Sequence, residues 1–95
     1  MKKLAPIHPG EILRVDFIEP LDLSQNQLAL ALRVPVTRVH EIIHGNRSIT
    51  AETALRLGRY FGTSPEFWLG LQQHYDLETA EDAAAAAIER EVVPR

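Results

Sequence analysis

The sequence predicts a small all-α domain, and three observations carry that prediction. Helix start and stop signals recur every ten to fifteen residues along the 95-residue chain. No stretch shows the period-two alternation and β-branched density of a half-buried strand. Hydrophobic residues make up 45 % and charged residues 24 %, a balance that lets a chain of this length bury one core.

The first helix is expected to open at Pro9, whose fixed φ and missing N–H suit the first helical position, and to carry Ile12, Leu13 and Phe17. It should end by Glu19, because Pro20 disfavours the α region for its predecessor. Leu21 to Leu23 connect. Ser24 and Gln27 have capping-box spacing, and Leu23 and Leu28 are placed as a hydrophobic staple, so a second helix runs to Leu32. Arg33-Val34-Pro35 makes a short break. A third helix is expected from Val36 to about His44, closed by Gly45 in the left-handed conformation. Thr50 caps a fourth, with Glu52 near its positive end, and Gly62 stops it. Ser64-Pro65-Glu66 opens a fifth, carrying Phe67, Trp68, Leu71 and Tyr75. Thr79-x-x-Asp82 is expected to cap a separate sixth, alanine-rich segment from Ala80 to Val93. Alanine favours helix but has little area to bury, and Ile88, Val92 and Val93 are the only larger aliphatic side chains there. That segment is either a partner-docking helix or a fraying tail.

Composition removes several classes. There is no cysteine, so neither a disulfide nor a thiolate chemistry is open to the chain. Met1-Lys2-Lys3-Leu4 could begin a signal peptide, but Pro6-Ile7-His8-Pro9-Gly10-Glu11 follows and no apolar core region forms. The longest uncharged apolar run, Ala83 to Ile88, is far short of the roughly 18 residues that span a bilayer. A cytoplasmic protein is expected. The net charge of −3 speaks against nucleic acid, yet it is unevenly distributed: residues 1–62 carry +2 and the remainder −5. Between Arg33 and Arg59 there are five arginines and two glutamates, a modest basic patch beside an acidic tail.

Residues 25–44 hold the informative pattern. The small Ala29 between Leu28 and Leu32 lets two helices cross closely, and Val39, Ile42 and Ile43 recur at the spacing that fastens the third helix onto the second. With those three facing inward, a rotation of about 100° per residue turns Thr37, Glu41 and His44 outward. Val36 and His40 then lie on one flank and Arg38 on the other. Such a face on a short helix suits insertion into the major groove of DNA. An αα-hairpin with a purely structural core would have the same pattern. Arg33 stands where such turns often carry glycine, so it either adopts φ > 0 at some cost or the turn is built differently. Arg47, just past the third helix, is placed for a phosphate contact.

His40-Glu41-Ile42-Ile43-His44 also matches the H-E-x-x-H pattern of zinc hydrolases. A catalytic zinc needs a third ligand and a walled cleft, and Arg47 and Thr50 stand where the extended motif wants glycine and histidine. The pair reads as incidental; no metal, no cofactor and no catalysis are expected. Phe67, Trp68 and Leu71 have the spacing of either a core stripe or a partner-binding face. Arg56 and Arg59 could reach phosphates or form a solvated face. Capping accounts for Ser24 without any nucleophilic role.

Several stretches together carry a resemblance over nearly the whole chain. Ile7-His8-Pro9-Gly10-Glu11-Ile12-Leu13, Glu19-Pro20-Leu21 and Ser24-Gln25 resemble the opening of HigA-type antitoxins, in the xenobiotic-response-element class of helix-turn-helix proteins. The likeness continues through Ile49-Thr50-Ala51-Glu52-Thr53-Ala54-Leu55-Arg56-Leu57 and the quite specific Gly62-Thr63-Ser64-Pro65-Glu66-Phe67-Trp68-Leu69. It implies a lambda-repressor-like five-helix DNA-binding domain with an additional C-terminal helical segment. It also implies a homodimer on double-stranded operator DNA that represses its own operon and neutralises a RelE-like messenger-RNA-cleaving toxin, in the bacterial cytoplasm at the nucleoid. Carried over by position, Val36, Thr37, Arg38 and Glu41 contact bases, while Gln25, His44 and Arg47 contact phosphates. Arg33 and Pro35 depart from the commoner residues of that turn, and the toxin-binding surface has no local motif. The chain then divides into a helix-turn-helix DNA-binding domain, residues 1–77, and an acidic, Ala-rich C-terminal helical extension, residues 78–95. The extension, repelled by DNA, suits subunit pairing or a basic toxin. A stand-alone repressor without a toxin, or an adaptor keeping the fold without binding DNA, remain the alternatives.

Overall fold

A computed structural model describes residues 4–95, and every regular element among them is helical. Helix α1 (Pro9–Ile12) runs directly into a π-helical stretch, Leu13–Ile18; α2 spans Gln25–Leu32, α3 Val36–Ile43, α4 Ala51–Phe61 and α5 Pro65–Glu91. None of these helices is long and apolar enough to cross a membrane.

Local chemistry sets most boundaries. His8 caps α1 by accepting the Gly10 N–H at Nδ1 (2.9 Å). The capping box of α2 is complete: the Gln27 N–H donates to Ser24 Oγ (3.0 Å) and the Ser24 N–H to Gln27 Oε1 (2.8 Å). Thr50 and Ser64 cap α4 and α5 in the same manner. Arg33 adopts φ 60°, ψ 45°, so the turn between α2 and α3 is built on a left-handed non-glycine residue. That conformation costs about 1 kcal/mol or more. After α3, Gly45 (φ 77°) donates to the Ile42 carbonyl and Asn46 to the Glu41 carbonyl, a Schellman closure that reverses the chain at once.

Two boundaries differ from the sequence expectation. The first helix does stop before Pro20, but Glu19 keeps α-region angles (φ −63°, ψ −49°) and donates to the Arg14 carbonyl. The missing N–H of Pro20 ends the ladder, rather than a shift of Glu19 out of the α region. The sixth helix is not separate. Residues 76–80 contain no glycine or proline to break the ladder, so α5 continues through Thr79 into the alanine-rich segment, for 27 residues in all. The expected division at residue 77 therefore falls inside one continuous helix.

The core is one cluster drawn from every helix: Leu13, Ile18, Leu28, Ala29, Leu32, Val39, Ile42, Ile49, Ala54, Leu57 and Trp68. Of the aromatic stripe on α5, Trp68 is fully buried and Phe67 lies largely at the surface. Phe17 packs on the Trp68 ring at 4.8 Å and on Phe61 at 5.0 Å, and the Trp68 indole N–H donates to Thr63 Oγ1 (2.8 Å). Beyond Glu78 the α5 side chains are exposed apart from half-buried Ala84 and Ala87, and Leu77, Ile88, Val92 and Val93 face solvent.

Three close contacts hold the ends of α3. A Cβ on Gly10 would lie 1.8 Å from the Ile42 carbonyl oxygen, so only glycine lets α1 cross the end of α3 this closely. The His8 ring stands edge-on to Tyr75 of α5 (4.9 Å). Gln72, buried on α5, accepts the Ile49 N–H at Oε1 (2.8 Å) and donates from Nε2 to Asp76 (2.9 Å). The loop between α3 and α4 is thereby pinned from behind.

Replacing Gln72 with leucine keeps the volume but strands the buried Ile49 N–H, at an expected cost of about 1–3 kcal/mol in urea unfolding, with faster hydrogen exchange at Ile49. A second expectation concerns pH. Burial pushes the His8 imidazole below its ordinary value of 6.5, against the opposing pull of the Asp76 carboxylate. The unfolded chain then binds a proton that the folded chain refuses, so the stability contributed by His8 is complete above pH 6.5 and is lost as the pH falls through the lower folded-state value. His8→Asn retains an acceptor for the Gly10 N–H but does not titrate. Urea midpoints followed from neutral to mildly acidic pH should fall less steeply in that variant than in the parent.

Candidate nucleic-acid interface

Burial of Val39 and Ile42, with Ile43 half-buried beside them, fixes the rotation of α3 about its axis. The opposite face is what the 3.6-residue period requires: Val36, Thr37, His40 and His44 are exposed, and Arg38 and Glu41 lie half-buried along its edges. The N-terminal turn of α2 meets this face. Ser24, Gln25 and Asn26 line a shallow groove together with Val36, Thr37 and His40.

All seven residues singled out for DNA contact thus fall on or beside α3, each with a distinct environment. Gln25 Oε1 accepts from His40 Nδ1 (3.2 Å), tying the start of α2 to the middle of α3 and leaving the Gln25 amide NH2 to donate outward. His44 Nδ1 donates to the His40 carbonyl (2.9 Å), and the two imidazoles stack with centroids 4.0 Å apart. Because a carbonyl oxygen only accepts, both rings carry a proton on Nδ1 in these bonds. Each then meets a phosphate through Nε2, which donates only when the imidazole is charged. Arg47 folds back onto the face, its Nε donating to Glu41 Oε2 (2.9 Å). Pro35 offers no capping side chain to α3, so the first-turn N–H groups, unlike those of α2, have no side-chain acceptor competing with an anion.

Arg38 is the most enclosed cation of this surface. Its Nη1 donates to Glu52 Oε1 in the first turn of α4 (3.0 Å), and Arg56 Nε lies 3.5 Å from the same oxygen. The Arg38 hydrogen bond, reinforced by the Arg56 charge, holds the Glu52 carboxyl below its ordinary pKa. Arg56 in turn donates from Nη1 to the Leu32 carbonyl (2.9 Å). That bond closes the C-terminal end of α2 and accounts for Arg56 better than a phosphate contact does. Arg59 remains exposed, on a second groove with Ala31, Leu32, Arg33, Leu55, Arg56 and Tyr60.

Glu41 is engaged by Arg47, so the His-Glu-x-x-His sequence does not assemble as a base beside two ligands. Among the described residues no group of three or more His, Cys, Asp or Glu side chains is placed to hold a metal ion. Sequence reasoning misses two residues that shape this surface. Glu52 reads locally as a residue at the positive end of α4, and its partners Arg38 and Arg56 lie on different helices. Gln72 belongs to no motif, although a polar residue one turn from Trp68 on a buried stripe is a usable signal.

Comparison with known proteins bears on this surface directly. Residues 16–68 match the helix-turn-helix family. The chain is 51 % identical over 79 residues to virulence-associated protein I of Dichelobacter nodosus, covering 83 % of this chain and 73 % of that protein. An addiction module antidote protein of the HigA family from Coxiella burnetii has the same fold with a TM-score of 0.92 at 51 % identity, over 97 % of this chain and all of that one. Pseudomonas aeruginosa antitoxin HigA, solved with the higBA promoter, superposes with a TM-score of 0.91 at 49 % identity, over 94 % of this chain and 97 % of that one. With the two-helix unit, the capping pattern and these likenesses in agreement, the chain belongs to the HigA-type antitoxins of the helix-turn-helix family.

Proposed function

We propose that the protein is the antitoxin of a type II toxin–antitoxin module. It binds double-stranded operator DNA as a homodimer, represses its own operon, and neutralises a RelE-like messenger-RNA-cleaving toxin in the bacterial cytoplasm. The observation that carries the DNA half is the exposed face of α3, rigidly backed by α2 and bordered by Gln25, His44 and Arg47. The Pseudomonas aeruginosa relative, about half of whose residues are identical, was solved with its promoter, which supports the same use of this face.

Val36, Thr37, Arg38 and Glu41 read bases in this proposal, while Gln25, His44 and Arg47 hold phosphates. Val36 presents a methyl-bearing surface suited to a thymine methyl group, and Thr37 a hydroxyl that donates or accepts. The exposed Arg47–Glu41 pair is worth little in water, so exchanging it for a phosphate and a base edge costs little. The distal part of α5 is assigned to subunit pairing and toxin contact. It is acidic, and it projects from the core with Leu77, Ile88, Val92 and Val93 uncovered. A chain ending after Leu77 should keep its unfolding midpoint close to the parent's, since every core residue is retained, while sedimentation shows a weaker dimer or toxin inhibition requires more protein. Unchanged dimer and toxin affinity would mean that the distal helix pairs with nothing.

The division of roles on α3 is tested by binding isotherms on the protein's own promoter and on scrambled DNA at several salt concentrations. Thr37→Ala should weaken promoter binding by about 1–3 kcal/mol and scrambled DNA little, because a base contact carries the sequence information. Arg47→Ala should weaken both alike and lower the salt slope by about one unit, the share of a single neutralised phosphate. Equal shifts for the two variants on both DNAs would refute the assignment, and an unmodified protein without preference for its promoter would refute the repressor reading itself.

A further inference from the structure

The DNA-facing cations differ in how they are held. Arg47 is anchored to one exposed carboxylate within its own helix-and-loop segment, residues 41–47, and its side chain is 46 % exposed. Arg38 is bonded across to another helix, and its side chain is only 28 % exposed. Its carboxylate, Glu52, is 3.5 Å from Arg56 Nε, and Arg56 is bonded to the main chain at the end of α2. A continuous polar chain therefore runs from the Leu32 carbonyl through Arg56 and Glu52 to Arg38, and it touches α2, α4 and α3 in turn. Thr50 caps the helix that carries Glu52, which fixes the carboxylate at its root.

A guanidinium has five N–H donors in a rigid fork. Glu52 engages Arg38 at Nη1, and it is the side chain bonded to Arg38 among the described residues. The edge made by Nε and Nη2 keeps two parallel donors, the spacing that matches guanine O6 and N7. Arg38 lies in the first turn of α3, the part of such a helix that reaches base edges.

We propose that Glu52 is a positioning residue for sequence readout: it clamps Arg38 so that the Nε–Nη2 edge is presented, already oriented, to a guanine of the operator. This rests on the DNA-binding reading above. Pre-orientation matters because a mobile arginine side chain gives up its rotamer freedom on binding a base, whereas a clamped one has done so on folding. The carboxylate has a second consequence. Set beside the DNA face, it opposes phosphate wherever Arg38 finds no base, so it weakens scrambled DNA more than operator.

The test uses the full-length protein with Glu52→Gln, Glu52→Asp, Arg38→Ala and the Arg38→Ala/Glu52→Gln double variant, on promoter and scrambled DNA. Glu52→Gln should lower the promoter-to-scrambled affinity ratio by about fivefold or more, the lower end for one base contact, with scrambled DNA bound as tightly as before or tighter. Circular dichroism and the thermal midpoint of each variant identify any loss of fold, which would weaken both DNAs together and leave the ratio intact. In the Arg38→Ala background, Glu52→Gln should change the ratio by less than about twofold, since Glu52 then has nothing to position. Glu52→Asp keeps the charge on a shorter stem and should leave the ratio low. Restoration of the full ratio by aspartate would show that the field of the carboxylate suffices and overturn the clamp. An unchanged ratio in Glu52→Gln, or in Arg38→Ala, on a promoter that the parent still discriminates would overturn the proposal while leaving the repressor reading intact. A parent that does not discriminate overturns both.

Discussion

Burying one side of α3 is the constraint on which the remaining architecture of this surface depends. Val39 and Ile42 are almost completely removed from water, and full burial of side chains of this kind is worth about 1.5–3 kcal/mol each. Rotating the helix by one residue would expose them, so no other outward set of side chains is accessible at comparable energy. Thr37, Arg38, Glu41 and His44 face outward as a consequence of what lies beneath them. The small Ala29 on the α2 side and the absent side chain of Gly10 on the α1 side let that burial occur at close helix separation.

The surface is also stiffened from two further directions. α5 reaches behind the α3–α4 loop through Gln72 and beside the α1 cap through Tyr75, so the loop that carries Arg47 rests on a buried hydrogen bond rather than on solvent. α4 approaches from the other side and contributes Glu52 and Arg56, which link α2 and α3 through charged groups. Helices of eight residues, such as α2 and α3, would be marginal alone. Their stability comes from this tertiary support, and the support determines the orientation of the side chains that face a ligand.

The charge distribution is compatible with binding an anion despite the negative total. The acidic residues of the C-terminal third lie on α5, whose distal turns stand apart from the core, whereas the arginines of residues 33–59 are gathered on α2, α3, α4 and the turns between them. Within that region the two glutamates are each paired with arginine, Glu41 with Arg47 and Glu52 with Arg38 and Arg56. Pairing of this kind lowers the general attraction for polyanions and leaves discrimination to geometry.

The sequence by itself determined the helical class, the start of each helix from α1 to α5 and the rotation of α3. These follow from short-range chemistry: a capping side chain and the N–H groups it serves are three residues apart, and apolar periodicity is read within two turns. Arg33 was legible as an anomaly, and only the folded turn showed it to be left-handed. Two other features needed the tertiary structure. The continuity of α5 was obscured because Thr79-x-x-Asp82 resembles a cap, and whether such a residue caps or simply continues a helix depends on the conformation of the chain before it. The Leu32–Arg56–Glu52–Arg38 chain and the Gln72–Ile49 bond join residues 14 to 24 positions apart on different helices. No local pattern encodes such pairs, because their meeting is fixed by how the helices pack and not by the sequence around either partner.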